Sequence, residues 1–136
     1  MKNRSLAKDY LSRSGKRLKA VAVLMQEEAW ADVVRESQEI VELSLKGLLR
    51  HCQLDVPRVH DVSEVILEER SRFPDLLKPH LDRMIDISRD LRRDRELAFY
   101  GSEDLTPESF YKKKDAKKAF DSARWVVEMI APVVGS

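Results

Sequence analysis

Arg92, Arg93, Arg95 and Tyr100 lie close together in a segment, RRDRELAFYG, whose residue types suit the handling of a phosphate group. A guanidinium grips a phosphate or a carboxylate through two parallel N–H donors, and a tyrosine ring offers a stacking face with a hydroxyl at its edge. The segment continues a stripe formed by Leu77, Leu81, Met84, Ser88 and Leu91, which recur at three- and four-residue steps. Such spacing predicts one face of a helix, and the next position on that face, Arg95, points inward. A guanidinium there needs a partner. The candidates are a carboxylate of an earlier helix (Glu39 or Glu42), another subunit, or a phosphate.

A second basic cluster, Lys112, Lys113, Lys114, Lys117 and Lys118, falls where the last helix is predicted to begin. Cations are disfavoured at the positive end of a helix macrodipole, so a phosphate or an acidic partner surface would suit Lys112 and Lys113. On the alternative reading the run is a solvated helix end and Asp115 supplies the compensating charge. His60 and Asp61 are adjacent, and neighbours in sequence rarely orient one another's side chains for catalysis; Asp61 is explained as a helix cap. His51, Cys52 and His60 lack the spacing of a CxxC or HExxH site, so no metal is expected, and no cofactor.

These side chains must be positioned by helices. Of 136 residues, 36% are charged and only four are Gly and five Pro, a composition that suits an all-α chain and argues against a β-sandwich or barrel. The length fits a single domain spanning residues 1–136 that buries its core without disulfides, and one cysteine excludes an internal one. Helical periodicity predicts a first helix over 5–28, with Leu11, Leu18, Val21, Leu24 and Met25 inward and Gly15 as a weak point. A second over 30–51 carries Val33, Val34, Ile40, Val41, Ser44, Leu45, Leu48 and Leu49 on its apolar face, with Glu42 and Lys46 spaced for an ion pair. Trp30 is expected to close this first hairpin, whose short link makes the two helices antiparallel. Asp61 followed by Glu64 resembles a capping box opening a short helix to residue 70. The fourth helix is predicted over 78–99, stopping near Gly101, and a polar loop containing Pro107 follows. The last, over 113–131 and ending before Pro132, buries Ala116, Phe120, Ala123, Val127 and Ile130. The fold class expected is an all-α, up-and-down bundle of four long helices plus one short one.

With 25 basic and 24 acidic residues the chain has no global field, so any contact with nucleic acid is local. Nothing in the sequence resembles a signal peptide or a membrane span, and the expectation is a cytoplasmic protein with no membrane contact.

An opening helix, a second of the type EAWADVVRESQEIVELSLKGLL, a loop carrying VHDVSEVI, and a fourth ending in RRDRELAFYG before a polar loop and a closing helix together resemble the HEPN-domain family, over about residues 15–130. The family's signature is an Arg followed after four to six residues by His near the end of the fourth helix. In ribonuclease members the two cleave RNA across a dimer cleft. Here Arg95 matches the Arg, but Tyr100 stands where His is expected, and no His occurs from Leu81 onward. A phenol, with an ordinary pKa of about 10, is a poor proton acceptor near neutrality. The resemblance therefore implies a catalytically degenerate homodimer, its dimer surface built mainly from the second and fourth helices. Arg92, Arg93, Arg95 and Tyr100 would hold a nucleotide or RNA phosphate, and Glu39, Glu42, Lys46, His60 and Asp61 would form a structural polar network. It also implies a partner, a minimal nucleotidyltransferase, in a toxin–antitoxin-like pair. The alternatives are a metal-independent ribonuclease using Arg95 and Tyr100, and a purely structural dimeric scaffold.

Overall fold

The computed structural model describes residues 2–56, 58, 61–100, 106 and 110–135; the side chains of residues 2, 3 and 94–100 lie outside the described set. Five α-helices are present among the described residues, and no strand. They are α1 (Lys2–Gln26), α2 (Trp30–His51), α3 (Val62–Glu68), α4 (Leu81–Tyr100) and α5 (Lys113–Gly135). Helix α2 is the hub, packing against α1, α3, α4 and α5, while α1 also meets α5.

The reason is written in its residues. Val33, Val34, Ile40, Val41, Leu45, Leu48 and Leu49 are each at most 1% exposed, so α2 has apolar groups on more of its circumference than a single neighbour could cover. Burying a side chain of this kind contributes about 1.5–3 kcal/mol. From α4 the stripe Leu77, Leu81, Met84, Ser88 and Leu91 is buried as its spacing predicts, and α5 adds Ala116, Ala119, Ala123, Val126, Val127, Ile130 and Val134. Trp125 of α5 receives the Arg83 guanidinium 3.9 Å from its ring centre and the edge of His80, which ties α5 to the start of α4.

The α1–α2 seam is built from small residues. A Cβ added to Gly47 would lie 2.5 Å from the Leu11 methyl and 3.3 Å from the Tyr10 Cβ, with the Ala7 carbonyl at 3.4 Å. Further along, the Ser14 hydroxyl donates to the Tyr10 carbonyl (2.9 Å) and that of Ser44 to the Ile40 carbonyl (2.8 Å), their oxygens 3.0 Å apart in full burial.

Both helices of this hairpin end the same way. Ala29 N–H donates to the Leu24 carbonyl and Glu28 N–H to that of Met25, with Glu28 at φ 57°. Leu54 N–H donates to Leu49 and Gln53 N–H to Arg50, with Gln53 at φ 59°. These are Schellman closures, which ordinarily place Gly at the left-handed position. Arg72 adds a guanidinium 3.4 Å from the Cys52 and Gln53 carbonyls, a cation at the negative end of α2.

Several boundaries depart from the periodicity. Helix α1 stops at Gln26 because the Schellman closure takes over there, and α3 ends at Glu68 with a 3-10 turn, Arg70–Arg72, after it. Residues Lys78–His80 form a second 3-10 turn rather than the start of α4, with His80 N–H donating to the Leu77 carbonyl at 2.8 Å. Helix α5 runs through Pro132 to Gly135. The carbonyl deprived of a donor belongs to Glu128, an exposed residue, while Val134 beyond it is 1% exposed and anchors the last turn. The expected cap at Gly101 and the break at Pro107 lie outside the described residues.

Replacing Gln53 by Gly relieves a left-handed strain of about 1–2 kcal/mol against a smaller loss from the freer unfolded chain, a net gain of about 0.5–1 kcal/mol. Gly47→Val should destabilise by about 1–3 kcal/mol through overpacking against Leu11 and the α1 backbone. Urea unfolding of the two variants should shift the midpoint in opposite directions.

Candidate functional site

Of the residues singled out from sequence, Arg92, Glu42 and Asp61 come together where α4 crosses α2 and the start of α3. Asp61 caps α3, its carboxylate accepting from Ser63 N–H at 2.9 Å. Glu64 shares in this cap only through its backbone, donating to the Asp61 carbonyl at 3.1 Å. From α4, the Arg92 guanidinium donates to the Glu42 carboxylate at 3.0 Å and lies 3.6 Å from that of Asp61. One turn earlier, Arg89 Nε donates to the buried Ser63 hydroxyl at 3.3 Å. The other Glu42 oxygen accepts from the Gln38 amide at 2.8 Å. Two arginines of α4 thus clasp an acid of α2 and the cap of α3.

Arg92, expected to hold phosphate, therefore has its charge matched inside the chain. Glu42, expected to pair with Lys46 along its own helix, turns across to α4 instead. A guanidinium can serve two carboxylates at once, whereas the half-buried Lys46 ammonium would meet only one. Glu42 and Asp61 side chains are each 20% exposed, enough burial that leaving either unmatched is costly. Glu39, the other acid considered as a partner for Arg95, is half-buried on α2 and engaged. The side chains of Arg95 and Tyr100, and the whole of His60, lie outside the described residues.

Arg93 stands exposed on the far side of α4, 3.7 Å from Asp90. It lines a groove of about 180 Å³ between α4 and α5, floored by Leu91 and Ala119, with Asp90 beside it on α4 and Asp115 and Lys118 on α5. One residue of each basic cluster, Arg93 and Lys118, thus lines the groove, among the acids Asp86, Asp90 and Asp115. Lys112, Lys113 and Lys114 are exposed at the start of α5, where the Asp115 carboxylate accepts from Lys112 N–H at 2.9 Å. Asp115 is the acid of the first turn of α5, where the macrodipole favours a negative charge.

Sequence reasoning overlooked Gln38, Ser63 and Arg89, and the inward role of Arg92. A signal for the last existed: Arg92 lies four residues after Ser88 and so extends the buried stripe one step before Arg95 does. Ser37 Oγ and Gln38 Oε1, buried on α2, have no hydrogen-bond partner among the described residues. No group of acids, His and Cys able to hold a metal occurs among the described residues, and none of their helices is long and apolar enough to cross a membrane.

Arg92→Ala should destabilise the fold by about 1–3 kcal/mol, because Glu42 and Asp61 lose their shared counter-charge. Glu42→Gln should cost less. A double-mutant cycle over the two should return a coupling of about 0.5 kcal/mol or more in urea unfolding; strict additivity would show that the pair has no energetic role.

A family model described as HEPN domain matches residues 7–133. No curated protein and no solved structure gives a significant match. With that match covering all five helices, from the second turn of α1 to the last turns of α5, the chain belongs to the HEPN-domain family.

Proposed function

We propose that this HEPN protein binds the phosphates of a nucleotide or RNA at the basic end of α4 without cleaving them. It would do so as a homodimer paired with a minimal nucleotidyltransferase in a toxin–antitoxin-like system. The observation that supports the binding reading is the groove lined by both Arg93 and Lys118, one residue from each basic cluster and 25 positions apart in the sequence. Arg93 and Arg95, on different faces of α4, each contribute a phosphate contact, Lys112 and Lys113 extend the basic surface, and Tyr100 supplies a ring for stacking. Arg92 supports them by fixing α4 on α2 and α3 rather than by touching the ligand.

The absence of turnover follows from proton chemistry. Cleaving an RNA phosphodiester without metal requires a group that takes the proton of the ribose hydroxyl and one that returns a proton to the leaving oxygen. The imidazole that does this in family ribonucleases has no counterpart from Leu81 onward, and a phenol, the group that Tyr100 offers instead, is as a residue type a poor proton acceptor near neutrality.

Calorimetric titration with ATP, GTP and a short RNA at low and physiological salt tests the reading. Affinity should fall as salt rises and be lost in the double variant Arg93→Ala, Arg95→Ala. Flat isotherms for all three ligands would reject it. Metal-independent RNA cleavage that disappears in a folded Arg95→Ala variant would replace it with the enzyme reading.

A further inference from the structure

The opposite end of the bundle carries positive charge that the α4 region does not use. The seam that sets Gly47 against Ala7, Tyr10 and Leu11 runs antiparallel, so the last turn of α2, with Arg50 and His51, returns to the first turns of α1, where Arg4 and Lys8 stand exposed. The α2 macrodipole accounts for cations in its own last turn. It does not account for those at the start of α1, where the dipole is of the wrong sign and the first turn holds no acid. Asp9, the acid next in sequence, faces Arg13 at 3.8 Å.

Arg50 Nε and His51 Nδ1 are shielded from solvent, and neither has a hydrogen-bond partner among the described residues. A shielded N–H without an acceptor is uncommon in a folded chain. Burial, with the charges of Arg4 and Lys8 behind it, holds the His51 imidazole below its ordinary value, the direction expected where cations crowd without an anion among them.

We propose that Arg4, Lys8, Arg50 and His51 form a phosphate-binding site, taking either the backbone of an RNA strand or a free phosphate. Arg4 and Lys8 lie one turn apart on α1, about 6 Å along its axis, and Arg50 and His51 stand beside them in the last turn of α2. An anion seated at this surface neutralises positive charge for which the described residues supply no acid. Nine residues of α2, about 14 Å of helix, separate His51 from the level of Glu42, so the site is distinct from the α4 groove and does not depend on it.

The test is an NMR pH titration of the His51 ring in the full chain, alone, with inorganic phosphate, and with a short oligouridylate. Bound phosphate favours the imidazolium, so the His51 midpoint should rise when ligand is added. Arg4→Glu with Lys8→Glu, both at exposed positions, should keep the helical circular dichroism yet weaken the interaction by about tenfold or more, with a shallower salt dependence. Arg93→Ala with Arg95→Ala should leave the His51 response intact, which separates this site from the α4 reading. A response to both probes assigns the site to RNA backbone, and one to inorganic phosphate alone assigns it to a free anion. A midpoint that neither probe moves, or a response that survives charge reversal at Arg4 and Lys8, overturns the proposal.

Discussion

Burial of α2 from several sides at once is the constraint from which the rest of the structure follows. A helix covered by four neighbours has few places to hide a carboxylate, yet Glu42 is on it and mostly enclosed. An unmatched charge there would cost several kcal/mol, comparable with the whole margin by which a small domain is stable. Arg92 resolves this by reaching across from α4, and because the same guanidinium lies against Asp61 it also draws in the cap of α3. One side chain therefore sets the rotation of α4 about its own axis relative to two other elements. The basic residues that follow on α4 inherit that setting.

This division of labour explains why two adjacent arginines, Arg92 and Arg93, are not equivalent. Arg92 is matched within the fold, while Arg93 stands outward beside the α5 groove. A charge already bound to two carboxylates adds little attraction for a phosphate, but it keeps its neighbours in place. Family membership fits this arrangement without requiring that the family's hydrolytic chemistry be retained.

Much of the fold was legible in the sequence because its signals are long-period ones. Helix α2 matches its predicted limits at both ends, and every apolar residue assigned to its inner face is buried. The five-residue stripe on α4 did equally well. What escaped were features with no periodic signature. Left-handed caps normally announce themselves through Gly, and here Glu28 and Gln53 occupy them. Pro132 reads as a stop but sits in a final turn held by the burial of Val134. At the candidate site the residue types and the segment were apparent. The partner of each was not, because which of several arginines turns inward depends on a few tens of degrees of helix rotation and on which acid lies across the gap. Arg93 and Lys118 could be placed on a common groove only once α4 and α5 were packed together.

The small residues along the α1–α2 seam have a consequence for specificity. Aliphatic side chains tolerate sliding, since one methyl packs about as well as the next. The hydroxyls of Ser14 and Ser44 meet only in one alignment, and the notch at Gly47 accepts Leu11 only in that same alignment. Displacing α1 by one turn would separate the hydroxyls and press Leu11 onto a residue with a side chain. The hairpin thus discriminates against its own slipped forms, and it does so with atoms that add little to the total burial.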